Sequence, residues 1–174
     1  TLIFVTGRNK RAIEDHFDHS YELERSLEDR GKDDVLKSIQ DIIPDAGQVF
    51  YTRQQKPLGL GHAVWCARYH IHDEPFAVLL ADDLILAKPG CLKQMVEAYQ
   101  ETGGNLVAVE DVPRDHTDRY GILDVVEDNG TIARAQGLVE KPNPADAPST
   151  LSIIGRYILQ PEVFEQLDRQ AKGA

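Results

Sequence analysis

The sequence predicts an α/β domain on a doubly wound, mixed sheet, and three observations carry that prediction. Strand-like and helix-like patterns alternate through the first two-thirds of the chain. The apolar runs there are short and continuous, as in strands covered on both faces. From Tyr120 onward the helical patterns stop and strands follow one another directly. With 174 residues and a hydrophobic fraction of 41%, the chain has enough material for one domain with a sizeable core.

TLIFVT (Thr1 to Thr6) opens the chain as a strand. A polar turn (Gly7, Arg8, Asn9) leads into NKRAIEDHF, where Ala12, Ile13 and Phe17 fall at helical spacing. Between Ser20 and Ile43, Leu23 and Leu27, then Val35, Leu36, Ile39 and Ile43, recur at three- and four-residue steps, which predicts two amphipathic helices broken near Gly31. QVFYTR (Gln48 to Arg53) is the next strand, followed by a Gly-bearing loop and a helix from His62 to His70. FAVLLA (Phe76 to Ala81) is a second buried-type strand ending at Asp82. A helix covers Cys91 to Gln100, and NLVAVE (Asn105 to Glu110) is a further strand. Such alternation predicts parallel pairing with helices on both faces. Beyond Tyr120, ILDVV (Ile122 to Val126), the turn Asp128-Asn129-Gly130, TIARAQGLVE and SIIGRYIL (Ser152 to Leu159) predict antiparallel or mixed pairing. Pro142, Pro144 and Pro148 mark a loop between the last two strands, and no internal repeat is present.

Charge and composition exclude several classes. The 19 Lys+Arg against 29 Asp+Glu leave a net charge of −10, a field that repels polyanions, and no cluster of Lys and Arg interrupts it. Nucleic acid is therefore not an expected partner. The longest apolar run, FAVLLA, is far short of the ~20 residues of a membrane span, so no membrane partner is expected. Cys66 and Cys91 match no metal or redox spacing and form no disulfide framework, which points to a reducing cytoplasm. The chain opens on a buried-type strand without an initiating Met, and is expected to be an internal piece of a longer protein.

Four constellations carry chemistry. In RQQKPLGLGHA (Arg53 to Ala63), Gly59 and Gly61 allow a tight turn and close backbone approach, the next helix offers free N–H groups, and Gln54 presents an amide suited to a nucleobase edge. A turn shaped by glycines alone is an equally good reading, and His62 reads as a helix-start residue rather than a metal ligand. Asp82 and Asp83 stand at the carboxyl end of the most apolar strand, where open α/β sheets bind ligands. Asp82 is the preferred ligand for Mg²⁺ and Asp83 the better candidate for a capping role. Glu140 and Lys141 leave a strand before Pro142, and these neighbours serve one site only if the strand ends there. Glu140 suits sugar hydroxyls and Lys141 a phosphate, against the plainer reading of a surface ion pair. Tyr120-Gly121 and Gly155-Arg156-Tyr157 mark the close approach of a ligand or a bulge.

In this order, IEDHFDHSYELERSLEDRGK (Ile13 to Lys32), RQQKPLGLGHAV (Arg53 to Val64), EPFAVLLADDLIL (Glu74 to Leu86), RYGILD (Arg119 to Asp124), LVEKPNPADAPS (Leu138 to Ser149) and IIGRYIL (Ile153 to Leu159) span nearly the whole chain. Together they resemble the bacterial UTP–glucose-1-phosphate uridylyltransferase family. The acidic FD-x-S-x-ELE block and the GLGHA loop separate that family from related thymidylyltransferases.

The resemblance implies a Rossmann-like nucleotidyltransferase sheet, incomplete at both ends, with residues 1–118 as a nucleotide-binding half and 119–174 as the start of a sugar-binding half. It implies uracil reading by Gln54 and the Gly59 backbone, Mg²⁺ at Asp82, glucose held by Gly121 and Glu140, and Lys141 as the catalytic cation on the sugar phosphate. The implied reaction makes UDP-glucose from UTP and glucose 1-phosphate in a cytoplasmic homo-oligomer. The family's G-x-G-T-R loop and following lysine do not occur in this sequence, and Thr150 stands where many members carry Asn. The segment by itself is therefore expected to be inactive. The alternatives are a non-catalytic sugar-nucleotide-binding module and another hexose-1-phosphate nucleotidyltransferase, of the thymidylyl type.

Overall fold

The opening strand, β1 (Leu2–Thr6), pairs in parallel with β2 (Val49–Arg53), in register from Leu2↔Val49 to Thr6↔Arg53. Parallel strands need a long crossover. Here it is supplied by α1 (Arg11–His16), α2 (Tyr21–Asp29) and α3 (Asp33–Gln40) in the computed structural model, which describes residues 1–169. Residues 170–174, the close of the expected sugar-binding half, lie outside the described residues. Phe4 packs between Phe17 and Tyr51, with ring centroids 4.8 and 5.4 Å away, which fastens the end of α1 to the strand pair. The break between α2 and α3 falls at Gly31, whose φ of 62° few side chains tolerate. Its N–H bonds the Glu28 carbonyl at 2.9 Å and the Lys32 N–H the Leu27 carbonyl at 2.9 Å, closing off α2.

Two helices in this unit differ in their bounds from the sequence expectation. The first helix starts at Arg11 because Asn9 adopts a left-handed φ of 64°. The helix expected from His62 to His70 is instead α4 (Leu60–Cys66) followed by a separate 3₁₀ turn, Arg68–His70. Gly59, at φ 95°, starts it early: its carbonyl accepts the Ala63 N–H at 3.2 Å. At the other end, the Arg68 side chain donates to the Trp65 carbonyl at 3.0 Å, and its guanidinium lies 3.3 Å from the Trp65 ring centroid. The Trp65 indole N–H donates to Asp168, just after α6 (Val163–Leu167). The first unit comprises Thr1–His72 and the segment from Phe164.

The second unit, Asp73–Val163, holds β3 (Phe76–Leu79), α5 (Cys91–Thr102), β4 (Leu106–Asp111), β5 (Gly121–Asp128), β6 (Ala133–Glu140) and β7 (Leu151–Leu159). Its organiser is β7, no residue of which is exposed. Along one edge β7 pairs with β4, from Leu106↔Ile158 to Asp111↔Leu151. The other edge takes β3 (Phe76↔Leu159 to Leu79↔Arg156) and then β5 (Ile122↔Ser152), and β6 completes the sheet beyond β5. All these pairs are antiparallel.

The parallel pairing expected through the first two-thirds thus holds for β1 and β2 but not for β3 and β4. Those two run parallel to each other with the antiparallel β7 between them. The core gathers at Met95, Ile122, Leu123, Ala147 and Ile158. Ile122 is fully buried and contributes roughly 1.5–3 kcal/mol.

The expectation that FAVLLA is buried on both faces is also corrected. The strand ends at Leu79, and Ala77 and Leu79 are exposed, Leu79 by 52%, whereas Phe76 and Val78 are half-buried. Side chains alternate along a strand, so only one face of β3 is covered. The Asp128-Asn129-Gly130 turn forms as expected. Gly130 sits at φ 88°, and the Asn129 side chain accepts the Thr131 and Ile132 N–H groups at 2.9 and 2.8 Å. Among the described residues, no helix is long and apolar enough to cross a membrane.

Candidate active site

The residues expected to meet a ligand lie in both units: Gln54 and Gly59 in the first, Asp82, Gly121, Glu140 and Lys141 in the second. Gln54 extends the β1–β2 ladder by one bond, its N–H reaching the Thr6 carbonyl at 2.9 Å. Its side-chain nitrogen donates to the Gly59 carbonyl at 2.9 Å and lies 3.0 Å from His62 Nδ1. The Gly59 carbonyl is turned toward Gln54 by a backbone at φ 95°, ψ 176°, where a side chain would be strained. Gln54 and Gly59 therefore do come together.

His62 sits in the first turn of α4, as expected, but its contact with Gln54 is an addition; the only sequence cue was its place just past the glycine turn. Cys66 Sγ lies 3.8 Å from the same imidazole nitrogen. Burial pushes the Cys66 thiol up, with the Arg68 charge acting in the opposite direction.

In the second unit the turn after β3 separates two neighbouring carboxylates. Asp82 is exposed, and no protein group among the described residues bonds its carboxylate. Asp83 is half-buried, and its carboxylate accepts the Gly155 N–H of β7 at 2.6 Å. The helix- or turn-capping role expected for Asp83 is not the one formed: its carboxylate holds a distant strand instead. Arg156 adds bonds to the carbonyls of Leu80, at 2.8 Å, and of Asp83. The turn approaches β7 so closely that a Cβ on Gly155 would stand 2.7 Å from Leu80 Cβ and 3.0 Å from Asp83 Oδ2. Of the two sequence readings of Gly155, the bulge is the one realised: the pairing with β4 steps from Val107↔Tyr157 to Ala108↔Ile154, which leaves Gly155 and Arg156 out of that ladder. Arg156 carried no sequence signal beyond its place beside that glycine.

Gly121 and Glu140 are direct cross-strand partners in β5 and β6. A Cβ on Gly121 would meet Glu140 Oε2 at 3.2 Å and Leu138 Cδ1 at 3.1 Å. Strand β6 ends at Glu140, and Lys141 takes a left-handed φ of 49° with its N–H on the Tyr120 carbonyl at 2.9 Å. That reversal breaks the alternation that would send neighbours to opposite faces, and Lys141 Nζ comes to 3.8 Å from Glu140 Oε1. Tyr157 lies within the electrostatic reach of both acidic groups. Burial first, then the charges of Asp83 and Glu140, hold its phenol above the ordinary tyrosine value.

Comparison with known proteins gives this geometry its setting. Residues 2–174 match the nucleotidyl transferase family. The chain is 47% identical over 173 residues to a UTP–glucose-1-phosphate uridylyltransferase of Bacillus subtilis, covering 99% of this chain and 59% of that relative. It is 49% identical to the protein of that name from Staphylococcus haemolyticus, covering 99% and 60%. Among solved structures, a UDP-glucose pyrophosphorylase complexed with UDP-glucose superposes with a TM-score of 0.86 at 42% identity, covering 99% of this chain and 63% of that one. The UTP-bound enzyme from Acinetobacter baumannii gives 0.88 at 39%, covering 98% and 61%. The chain thus spans about three fifths of the length of the curated relatives it matches. On the match across nearly its whole length, the chain belongs to the nucleotidyl transferase family.

Proposed function

We propose that the full natural protein carrying this chain transfers the uridylyl group of UTP to glucose 1-phosphate, giving UDP-glucose and pyrophosphate. The observation that carries this is local to the second unit. Gly121 stands directly opposite Glu140, and Lys141 folds back beside that carboxylate, so one acceptor and one cation share a place kept open by a residue without a side chain. Similarity to relatives named for this reaction, one of them solved with UDP-glucose, supports the choice of substrates.

In the proposed reaction, Gln54 and the Gly59 backbone hold the uracil. Gly121 leaves room for the glucose, Glu140 accepts hydrogen bonds from its hydroxyls, and Lys141 sets its charge against the sugar phosphate. An oxygen of that phosphate bonds to the α-phosphorus of UTP while the bond from that phosphorus to the β-phosphate bridging oxygen breaks, and pyrophosphate leaves with the electron pair. Such a transfer needs alignment and charge neutralisation more than covalent help from the protein.

Asp82 fits a Mg²⁺ ion: its carboxylate is exposed and without a protein partner among the described residues, and one carboxylate with phosphate oxygens and waters is a usual Mg²⁺ shell. Mg²⁺, when bound, neutralises charge on the triphosphate. Residues 1–118 serve the nucleotide and residues from 119 the sugar, in a cytoplasmic homo-oligomer. The test is pyrophosphate release by the full natural protein with UTP, glucose 1-phosphate and Mg²⁺. Release that depends on all three supports the reading, and none above background overturns it. Competing UTP with dTTP in the same assay separates uridylyl from thymidylyl transfer.

A further inference from the structure

We infer that His62 is a positioning residue that sets base specificity: by accepting one amide hydrogen of Gln54, it fixes that amide so that only its carbonyl oxygen is offered to the base. This rests on the proposed reading of the uracil edge by Gln54.

A primary amide has two N–H donors and one oxygen with two lone pairs. The Gly59 carbonyl only accepts, so the group 2.9 Å from it must be the Gln54 NH₂. His62 Nδ1 lies 3.0 Å from that same nitrogen and must then carry a lone pair, which makes the imidazole the neutral Nε2–H tautomer. The second group facing Nδ1, the Cys66 thiol at 3.8 Å, points the same way, since a thiol pushed up by burial keeps its proton and is itself a donor. The imidazole plane is set by stacking on Trp65, with centroids 5.5 Å apart and planes 24° apart, and the Arg68 guanidinium lies against the same indole.

With both amide hydrogens engaged, Gln54 presents an acceptor and nothing else. Uracil carries a donor at N3–H, whereas cytosine carries a lone pair at N3 and is repelled. Thymine has the same edge as uracil, so His62 selects against cytosine and not against dTTP.

The test uses the full natural protein. Nitrogen NMR of the imidazoles at neutral pH should find His62 with Nδ1 unprotonated and Nε2 protonated. The ratio of kcat/KM for UTP to that for CTP should fall about 3- to 10-fold in His62→Leu, mainly through KM, as one net hydrogen bond implies. His62→Asn, whose amide oxygen takes the place of Nδ1, should restore most of the ratio. A protonated Nδ1 in the wild type, or an unchanged ratio in a folded His62→Leu, overturns the assignment. Absence of any uridylyl transfer overturns the proposed function instead, and the tautomer still decides the Gln54–His62 contact.

Discussion

The turns that leave β2 and β3 both carry residues expected to meet a nucleotide, and they are held in opposite ways. After β2 the fastening is local: the Gln54 side chain bonds the Gly59 carbonyl, five residues on, and lies against His62, eight residues on. After β3 the fastening comes from β7, with Asp83 bound to Gly155 at a separation of 72 residues and Arg156 reaching the Leu80 and Asp83 carbonyls. In the first turn the group proposed to read the base also holds the loop together. In the second, Asp83 and Arg156 carry the structural bonds, and Asp82 keeps its carboxylate in solvent. The two turns should therefore fail differently: a change at Gln54 disturbs recognition and loop together, whereas a change at Asp82 removes chemistry alone.

The sharpest way to break this comparison is to neutralise the two aspartates separately. Asp82→Asn should lower turnover of the full protein about 100-fold or more, the scale of losing a ligand to a charge-neutralising cation. Its urea unfolding should stay within about 0.5 kcal/mol of the wild type, as expected for an exposed side chain. Asp83→Asn should instead cost about 1–3 kcal/mol of stability, because the Gly155 N–H loses a charge-assisted acceptor. Equal stability losses in the two variants would erase the division between them.

The second prediction tests how tightly the β3 turn is docked. Gly155→Ala places a Cβ 2.7 Å from Leu80 Cβ and 2.9 Å from its Cγ, so backbone must move. A destabilisation of about 1–3 kcal/mol in urea unfolding is expected. A variant as stable as the wild type would mean that the turn yields easily and that close docking does not place Asp82.

What the sequence revealed follows the same split between local and distant causes. The strands β1 and β2, their parallel relation and the break at Gly31 were legible because each rests on periodicity or on one glycine. The end of β6 was legible because Pro142 has no N–H to give to a ladder and restricts the residue before it, which brought convergence of Glu140 and Lys141 within reach. The insertion of β7 between β3 and β4 was not. A run such as SIIGRYIL records that it is a strand and says nothing about which neighbours it will have. The Asp83–Gly155 bond was hidden for the same reason, although the glycine inside SIIGRYIL did mark the bulge that forms there. The early start of α4 at Leu60 turned on the Gly59 dihedral, which a sequence does not state.

A milder contrast separates the two glycines that β7 and β5 use. In Gly121→Ala the new Cβ meets the ends of two flexible side chains, Leu138 at 3.1 Å and Glu140 at 3.2 Å, rather than the root of a leucine. Stability should change by less than about 1 kcal/mol. Displacing the Glu140 carboxylate should nonetheless raise KM for glucose 1-phosphate while leaving KM for UTP near its original value. A matching rise in both constants would dissociate Gly121 from the sugar.

The smallest effect belongs to Tyr157, which lies within electrostatic reach of Asp83 and Glu140. Its phenol is held above the ordinary value by burial, then by Asp83 and Glu140, whereas in the unfolded chain it titrates near the usual ~10. The folded state therefore keeps a proton that the unfolded state loses first. The resulting stability is fully present below about pH 10 and is lost as pH rises through the higher folded value. Tyr157→Phe removes this titration, so the variant's stability should fall less steeply than the wild type's above about pH 10, with parallel curves from neutral pH up to that point. Identical alkaline limbs would show that the Tyr157 phenol is not held by Asp83 and Glu140, and would loosen the electrostatic link between the β3 turn and the end of β6.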